Sequence, residues 1–279
     1  VKEQVAGHYA EKLSKLGYVT LAFDASHQGE SGGEPRFLED PTARVEDVRC
    51  AVDYISTLPF VDTQRIGGLC ICAGASYVLS ASATEHRIKA VSTVSFSDHS
   101  MMRGDSKSKE KSEALARRYN RIDDNVPLIA ANTGLLAAVG NQRTAQASGA
   151  DPLYVNYVPN SPDEFDKYTP EMLKEAYEYY RTPRGQHPNS QNKFLFSSID
   201  KMLAFSAFDR MGTLLTQPAM FIAGGNADTR FFSEDAYELK NGQKELVIIE
   251  GATHVGMYDI PKNVDKAMEN LSRFFSNNL

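Results

Sequence analysis

Apolar residues along this chain repeat with two different periods. Near-continuous apolar runs of strand length lie at Tyr18–Ala25, Arg65–Cys72, Ile88–Phe96, Ala219–Gly225 and Glu245–Glu250. Between them the apolar positions space out to helical period. Residues 3–16 predict a helix closed by Gly17, a C-cap glycine, and residues 41–58 place Val45, Val48, Val52 and Ile55 on one stripe. The segment AGASYVLSASA (73–83) predicts a helix of small residues able to pack closely on a sheet. The last helix starts at Pro261, which suits a first turn, and carries Val264, Met268, Leu271 and Phe275. Strand and helix alternate, so the pattern predicts a mainly parallel sheet with helices on both faces.

The alternation breaks once. Between the third and fourth apolar runs lies an insertion, 101–217, far longer than a strand-to-helix connection. It predicts helices of its own. Ser161-Pro-Asp-Glu164 reads as a capping box, and Thr169-Pro170 opens a helix running to about Arg181, followed by the turn-rich TPRGQHPNSQNK. The charged run SKSKEKSE (106–113) reads as a solvated helix start or loop. An insertion at a strand's carboxyl end predicts a helical cap, with the core formed by 1–100 and 218–279.

Composition narrows the function classes. The chain has 279 residues, 42% of them hydrophobic, enough for a sizeable core. A net charge of −6 argues against nucleic acid as a partner and gives no polybasic reason to sit on a membrane. No apolar run reaches the ~18 residues of a membrane span. The three cysteines, Cys50, Cys70 and Cys72, form no disulfide framework and suit a reducing, cytoplasmic setting. Cys50 is expected as a small, at least half-buried filler of its helix. Cys70-x-Cys72 has no second Cys/His cluster nearby, so neither a metal nor a cofactor is expected. The chain opens on Val1 directly in helix-like sequence, which predicts that strands precede it in the natural protein. The sequence does not fix an oligomeric state, and a homodimer is compatible with it.

The strongest chemical signal surrounds Cys72. A nucleophile on a sharp strand-to-helix turn needs small residues two before and two after it, since larger ones would collide with the flanking strand or helix. Cys70-Ile71-Cys72-Ala73-Gly74 meets that need. A thiol there stands at a helix N-terminus, where amides and dipole favour the thiolate, and the N–H of Ala73 can hold an oxyanion. The competing account is a buried small hydrophobe. Ser76 fits less well, because Val78 follows it where a small residue is needed. Asp228 follows the fourth run in AGGNADTR and His254 follows the fifth in IIEGATHVG. Each has an ordinary alternative, a helix cap and a loop histidine. Together they complete the order nucleophile, acid, base.

Lesser candidates are Asp98 as an alternative acid, and Arg184 and His187, which could bind a substrate carboxylate at the pocket mouth or simply hold turns of the cap together. His99 reads as a loop residue. His8, His27 and His86 read as surface or packing residues.

FDASHQGESGG (23–33) resembles the D-x-x-G-x-G-x-S loop of the α/β-hydrolase superfamily, and ELVIIEGATH with the closing helix resembles its tail. YVPNSPDEF, YEYYRTPRGQHPNS and MFIAGGNADTRFFSEDAYE are similar to bacterial and fungal dienelactone-hydrolase-like and polyketide-transferase-like members. The resemblance covers nearly the whole chain. It implies the α/β-hydrolase fold, a Cys72–Asp228–His254 triad with a cysteine nucleophile as in dienelactone hydrolases, and hydrolase or acyl-transfer chemistry. Two departures stand out. Cys70 replaces a glycine common in such turns. The superfamily's His-Gly oxyanion loop belongs just before the first helix, where this sequence begins.

These residues predict a hydrolase of small-molecule esters, lactones or thioesters working through an acyl-enzyme. An acyltransferase using the same three residues, or a non-catalytic small-molecule-binding protein on the same fold, remains open.

Overall fold

The computed structural model describes residues 1–99 and 103–279; the expected boundary between core and insertion, at residues 100 and 101, lies outside the described residues. The chain begins with α1 (Val5–Ser14), α2 (Pro41–Ser56), β1 (Ile66–Ile71), α3 (Gly74–Ser82) and β2 (Ile88–Val94). It continues with α4 (Lys109–Asn120), α5 (Leu128–Ala147), β3 (Tyr154–Val155), α6 (Glu171–Arg181), β4 (Phe194–Leu195) and α7 (Ile199–Ala204). It closes with α8 (Met211–Leu214), β5 (Ala219–Gly224), α9 (Arg230–Leu239), β6 (Lys244–Ile249), α10 (Gly256–Asp259) and α11 (Pro261–Asn278).

The chain divides into two compact units. One comprises Val1–Asp24, Thr42–Asp98 and Ser206–Leu279. Its centre is a sheet ordered β1-β2-β5-β6 with every pair parallel. Parallel strands buried on both faces need continuous apolar sequence, and β5 (AMFIAG) is buried at every position. β2, on its other side, is buried everywhere except Lys89. The register aligns Ile71 with Val94, Val94 with Ile222, and Ile222 with Val247. All four strands therefore end at one edge, from which the loops carrying chemistry leave.

Helices pack closely because small residues let them. A Cβ on Gly68 would lie 2.9 Å from Val78, so α3 rests directly on β1. α11 turns Val264, Ala267, Met268, Leu271, Phe274 and Phe275 inward, as its spacing predicts. Just past the end of α1, Gly17 takes a left-handed φ of 92°, and the N–H of Tyr18 returns to the carbonyl of Leu13.

One expected strand is not formed. Tyr18–Ala25 has the apolar content of a strand, yet no described residue pairs with it, and Val19, Leu21 and Phe23 stand 55%, 41% and 40% exposed. Composition can favour a strand, but only a hydrogen-bonded neighbour makes one. Cys50 is a second correction: it is exposed on α2, whose buried side is taken by Val52 with Val48 and Ile55 packed nearby.

The other unit comprises Ala25–Pro41 and His99–Phe205. It holds α4 to α7 and the two-residue antiparallel pair β3–β4. The charged run at 106–113 leads into α4 at Lys109. The expected capping box at Ser161 closes only a single 3₁₀ turn, with Ser161 Oγ accepting from the N–H of Asp163 at 3.1 Å, because Phe165 returns to extended backbone. α6 forms after Pro170 and ends at Arg181, as its sequence predicts. Among the described residues no helix is long and apolar enough to cross a membrane.

Candidate active site

β1 delivers Cys72 into a reverse turn. The residue adopts φ 57°, a left-handed conformation costly for a side chain other than glycine. The turn is held on three sides. The N–H of Cys72 donates to the carbonyl of Val94 at 3.0 Å, and the carbonyl of Cys72 accepts from Ala75 at 3.0 Å and Ser97 at 3.4 Å. A Cβ on Gly74 would lie 3.1 Å from Cys70 Sγ, which is the crowding that calls for small residues at both positions. α3 starts two residues after Cys72, so its N-terminus faces the thiol.

β5 and β6 deliver His254. A Cβ on Gly224 would come 2.4 Å from the carbonyl oxygen of Ala252, so only glycine lets the loop after β6 lie against the end of β5. Two bonds fix that contact, Gly225 N–H to Ile249 and Asn226 N–H to Ala252, both 2.9 Å. The buried hydroxyl of Ser95, itself at φ 48°, donates to the carbonyl of His254 at 3.0 Å.

Residues 182 positions apart thus meet. His254 Nε2 lies 3.3 Å from Cys72 Sγ. The same nitrogen lies 3.0 Å from the hydroxyl of Tyr258, and Nδ1 is hydrogen-bonded to Thr229 Oγ1. Ser97 Oγ is 3.6 Å from Cys72 Sγ. Burial alone would raise the Cys72 thiol. The charge of His254, with hydrogen bonds from His254, Tyr258 and Ser97, outweighs it and brings the thiol down to about 6. Cys70, two residues earlier, has no such partners, and burial pushes it up to about 12. A thiol that ionises against an adjacent imidazole is equipped for nucleophilic attack.

The structure places the remaining expected residues as follows. Asp228 is half-buried in the turn after β5, directly before Thr229. No hydrogen bond among the described residues takes the N–H of Ala73, which sits between the turn and α3. Ser76 is fully buried inside α3 and donates to the carbonyl of Ser97 at 2.9 Å, with Asp98 Oδ2 at 3.2 Å. Asp98 also accepts from the N–H of Ala207 at 3.0 Å, so this pair ties loops together. In the other unit, Arg184 lies over the ring of Tyr179 at 5.7 Å, and His187 Nδ1 accepts from the N–H of Asn189 at 3.3 Å. His99 is buried edge-on to Phe205, and His27 Nδ1 is hydrogen-bonded to the carbonyl of Pro35. His8 and His86 are exposed.

Sequence reasoning missed Thr229, Ser97 and Tyr258. The first two give no signal, being ordinary hydroxyl residues on loops. Tyr258 follows His254 by four, a spacing that shares one side of a helical turn, and it could have been noticed.

No protein-family model matches the chain. It is 38% identical to the uncharacterized protein YcjY of Escherichia coli over 281 residues, covering all of this chain and 85% of YcjY. The crystal structure of hypothetical protein PA2218 from Pseudomonas aeruginosa superposes with a TM-score of 0.84 at 33% identity, covering 100% of this chain and 81% of that one. The α/β hydrolase GrgF from Penicillium sp. sh18 shares the fold with a TM-score of 0.74 at 20% identity, over 99% of this chain and 86% of GrgF. At lower sequence identity, 25% over 95% of this chain and 78% of the relative, stands a thiohydrolase of Eupenicillium brefeldianum. By its parallel sheet this chain has the α/β-hydrolase fold, and by identity along the whole of its length it belongs to one family with YcjY.

Proposed function

We propose that the chain is a hydrolase of activated acyl compounds, thioesters above all, with Cys72 as nucleophile, His254 as base and Asp228 as the acid that stabilises the imidazolium. The observation that carries this is the 3.3 Å approach of His254 Nε2 to a thiol held on a left-handed turn. The thiolate of Cys72 adds to the substrate carbonyl and the N–H of Ala73 receives the oxyanion. The leaving thiol or alcohol departs with the proton held by His254. Water then gives a proton to His254 as it attacks the acyl-enzyme, and Cys72 leaves as thiolate. Thioesters, lactones and activated esters suit a sulfur nucleophile better than amides, because an amine is expelled from the tetrahedral intermediate less readily than thiolate. The likeness to a thiohydrolase supports this substrate class.

Acyl transfer is the second reading, favoured by a 24% likeness to polyketide transferase claH of Penicillium crustosum. The two differ only in what attacks the acyl-enzyme. A panel of short-chain thioesters, lactones and aryl esters, assayed with and without alcohol and amine acceptors, tests both. Turnover lost in Cys72→Ala is expected, with free acid as the product. Conjugates replacing free acid would assign transfer, and activity surviving in Cys72→Ala would end the proposal.

A further inference from the structure

Tyr258 is one of the groups in this site that the three-residue reading does not use. It stands on α10, one turn after His254, and is buried. Its hydroxyl is 3.0 Å from His254 Nε2, the atom that also faces Cys72 Sγ at 3.3 Å, and it is among the groups that bring the thiol down. Its ring meets the imidazole edge-on, with centroids 5.7 Å apart at 71°. The short helix carrying it is anchored independently, because the hydroxyl of buried Tyr9 donates to the carbonyl of Met257 at 2.7 Å.

We propose that Tyr258 is a fourth working residue of the site, a hydroxyl donor that holds Cys72 as thiolate beside the His254 imidazolium. The inference rests on the reading of Cys72 as the attacking group. In the ion pair, Nε2–H is directed at both the sulfur and the phenol oxygen, and the phenol O–H donates to the sulfur. The three atoms then close a triangle in which each hydrogen has an acceptor. Once the sulfur is acylated it loses its negative charge and accepts poorly. The phenol is then free to hold the water or acceptor that approaches Nε2. The phenol stays protonated throughout, so no proton beyond those of the thiol and the attacking group moves. Among the described residues, the ionisable groups that bear on the sulfur include His254 from the loop after β6, Tyr258 from α10 and Cys70 from β1; Ser97, from the loop after β2, adds a hydroxyl.

The test is the pH dependence of Cys72 alkylation by iodoacetamide, followed by peptide mapping, in the wild type, Tyr258→Phe and Tyr9→Phe. The wild type should show a midpoint well below that of a free thiol. Tyr258→Phe keeps the ring and should raise the midpoint by about one pH unit, the size of a lost hydrogen bond to a charged group. Thioester turnover should fall at pH 6 and return toward the wild-type rate above the new midpoint, a recovery that a loosened structure would not give. Tyr9→Phe frees the same helix without touching the sulfur and should leave the midpoint unchanged. A wild-type midpoint at the free-thiol value would overturn the reading of Cys72 itself. A low wild-type midpoint that Tyr258→Phe leaves in place, or that Tyr9→Phe moves equally, would overturn the role of Tyr258 alone. Should Tyr258→Phe not fold, uniform fluorotyrosine incorporation acidifies the phenol without changing its shape. It should lower the midpoint, and no movement would count against the inference.

Discussion

Two cysteines with a single residue between them show how much a neighbour decides. Cys70 and Cys72 share a strand end, yet burial pushes one up to about 12 while His254 and two hydroxyls bring the other down to about 6. At pH 8 iodoacetamide should therefore modify Cys72 and spare Cys70, as read by mass spectrometry of the peptides. Cys72 loses its proton as pH rises through about 6, so its alkylation rate should climb there and level off by neutrality. His254→Ala removes the cationic partner and should move that climb upward. Thr229 and Asp228 are separable at this scale too. Thr229→Val removes the hydroxyl on His254 Nδ1. If Asp228 stabilises the imidazolium, Asp228→Asn should lower kcat by roughly 10²–10⁴, and Thr229→Val by less. Equal losses would mean that the hydroxyl, rather than the carboxylate, orients the ring.

Among the elements, the loop after β6 is tightly constrained where it lies against Gly224. Gly224 has an ordinary backbone conformation, so its requirement is purely steric: an added methyl would meet the Ala252 carbonyl at 2.4 Å. Gly224→Ala should cost about 1–3 kcal/mol of stability, in the range of overpacking, and displace His254 from Cys72. A lower melting temperature together with a loss of turnover larger than the stability change explains is the expected outcome; unchanged turnover would show that the loop is placed by other contacts. The sequence was legible here in an uneven way. Small residues around Cys72 announced a tight turn, because the requirement is local. Gly224 announced nothing, because the residue that crowds it comes from another strand's loop.

In the sheet-bearing unit as a whole, stability is centred on β2 and β5, the two inner strands. Phe221 on β5 is fully buried and paired in register with Thr93 and Leu246. Phe221→Ala should cost about 3–5 kcal/mol, seen as one cooperative transition at lower denaturant concentration. A variant that loses activity without losing stability would show that the strand is tuned for the site rather than for the core. Four of the five expected strands formed, and they are the four with partners. The failure at 18–25 has the same cause as those successes: apolar content qualifies a segment for a sheet, and ladder hydrogen bonds admit it.

The sequence by itself determined the alternating architecture, the tight turn at Cys72, and the loops on which Asp228 and His254 fall. Each of these is written in short-range periodicity or in residue size. Only the tertiary structure decided the rest: that His254 approaches Cys72, that Thr229 takes Nδ1, that Tyr258 joins them and that Cys50 faces outward. Those outcomes depend on strand order and on where loops from separate strands converge at one sheet edge. The physical reason is that local sequence fixes backbone conformation and side-chain spacing, whereas proximity across 182 residues exists only once the parallel strands have been laid side by side in register.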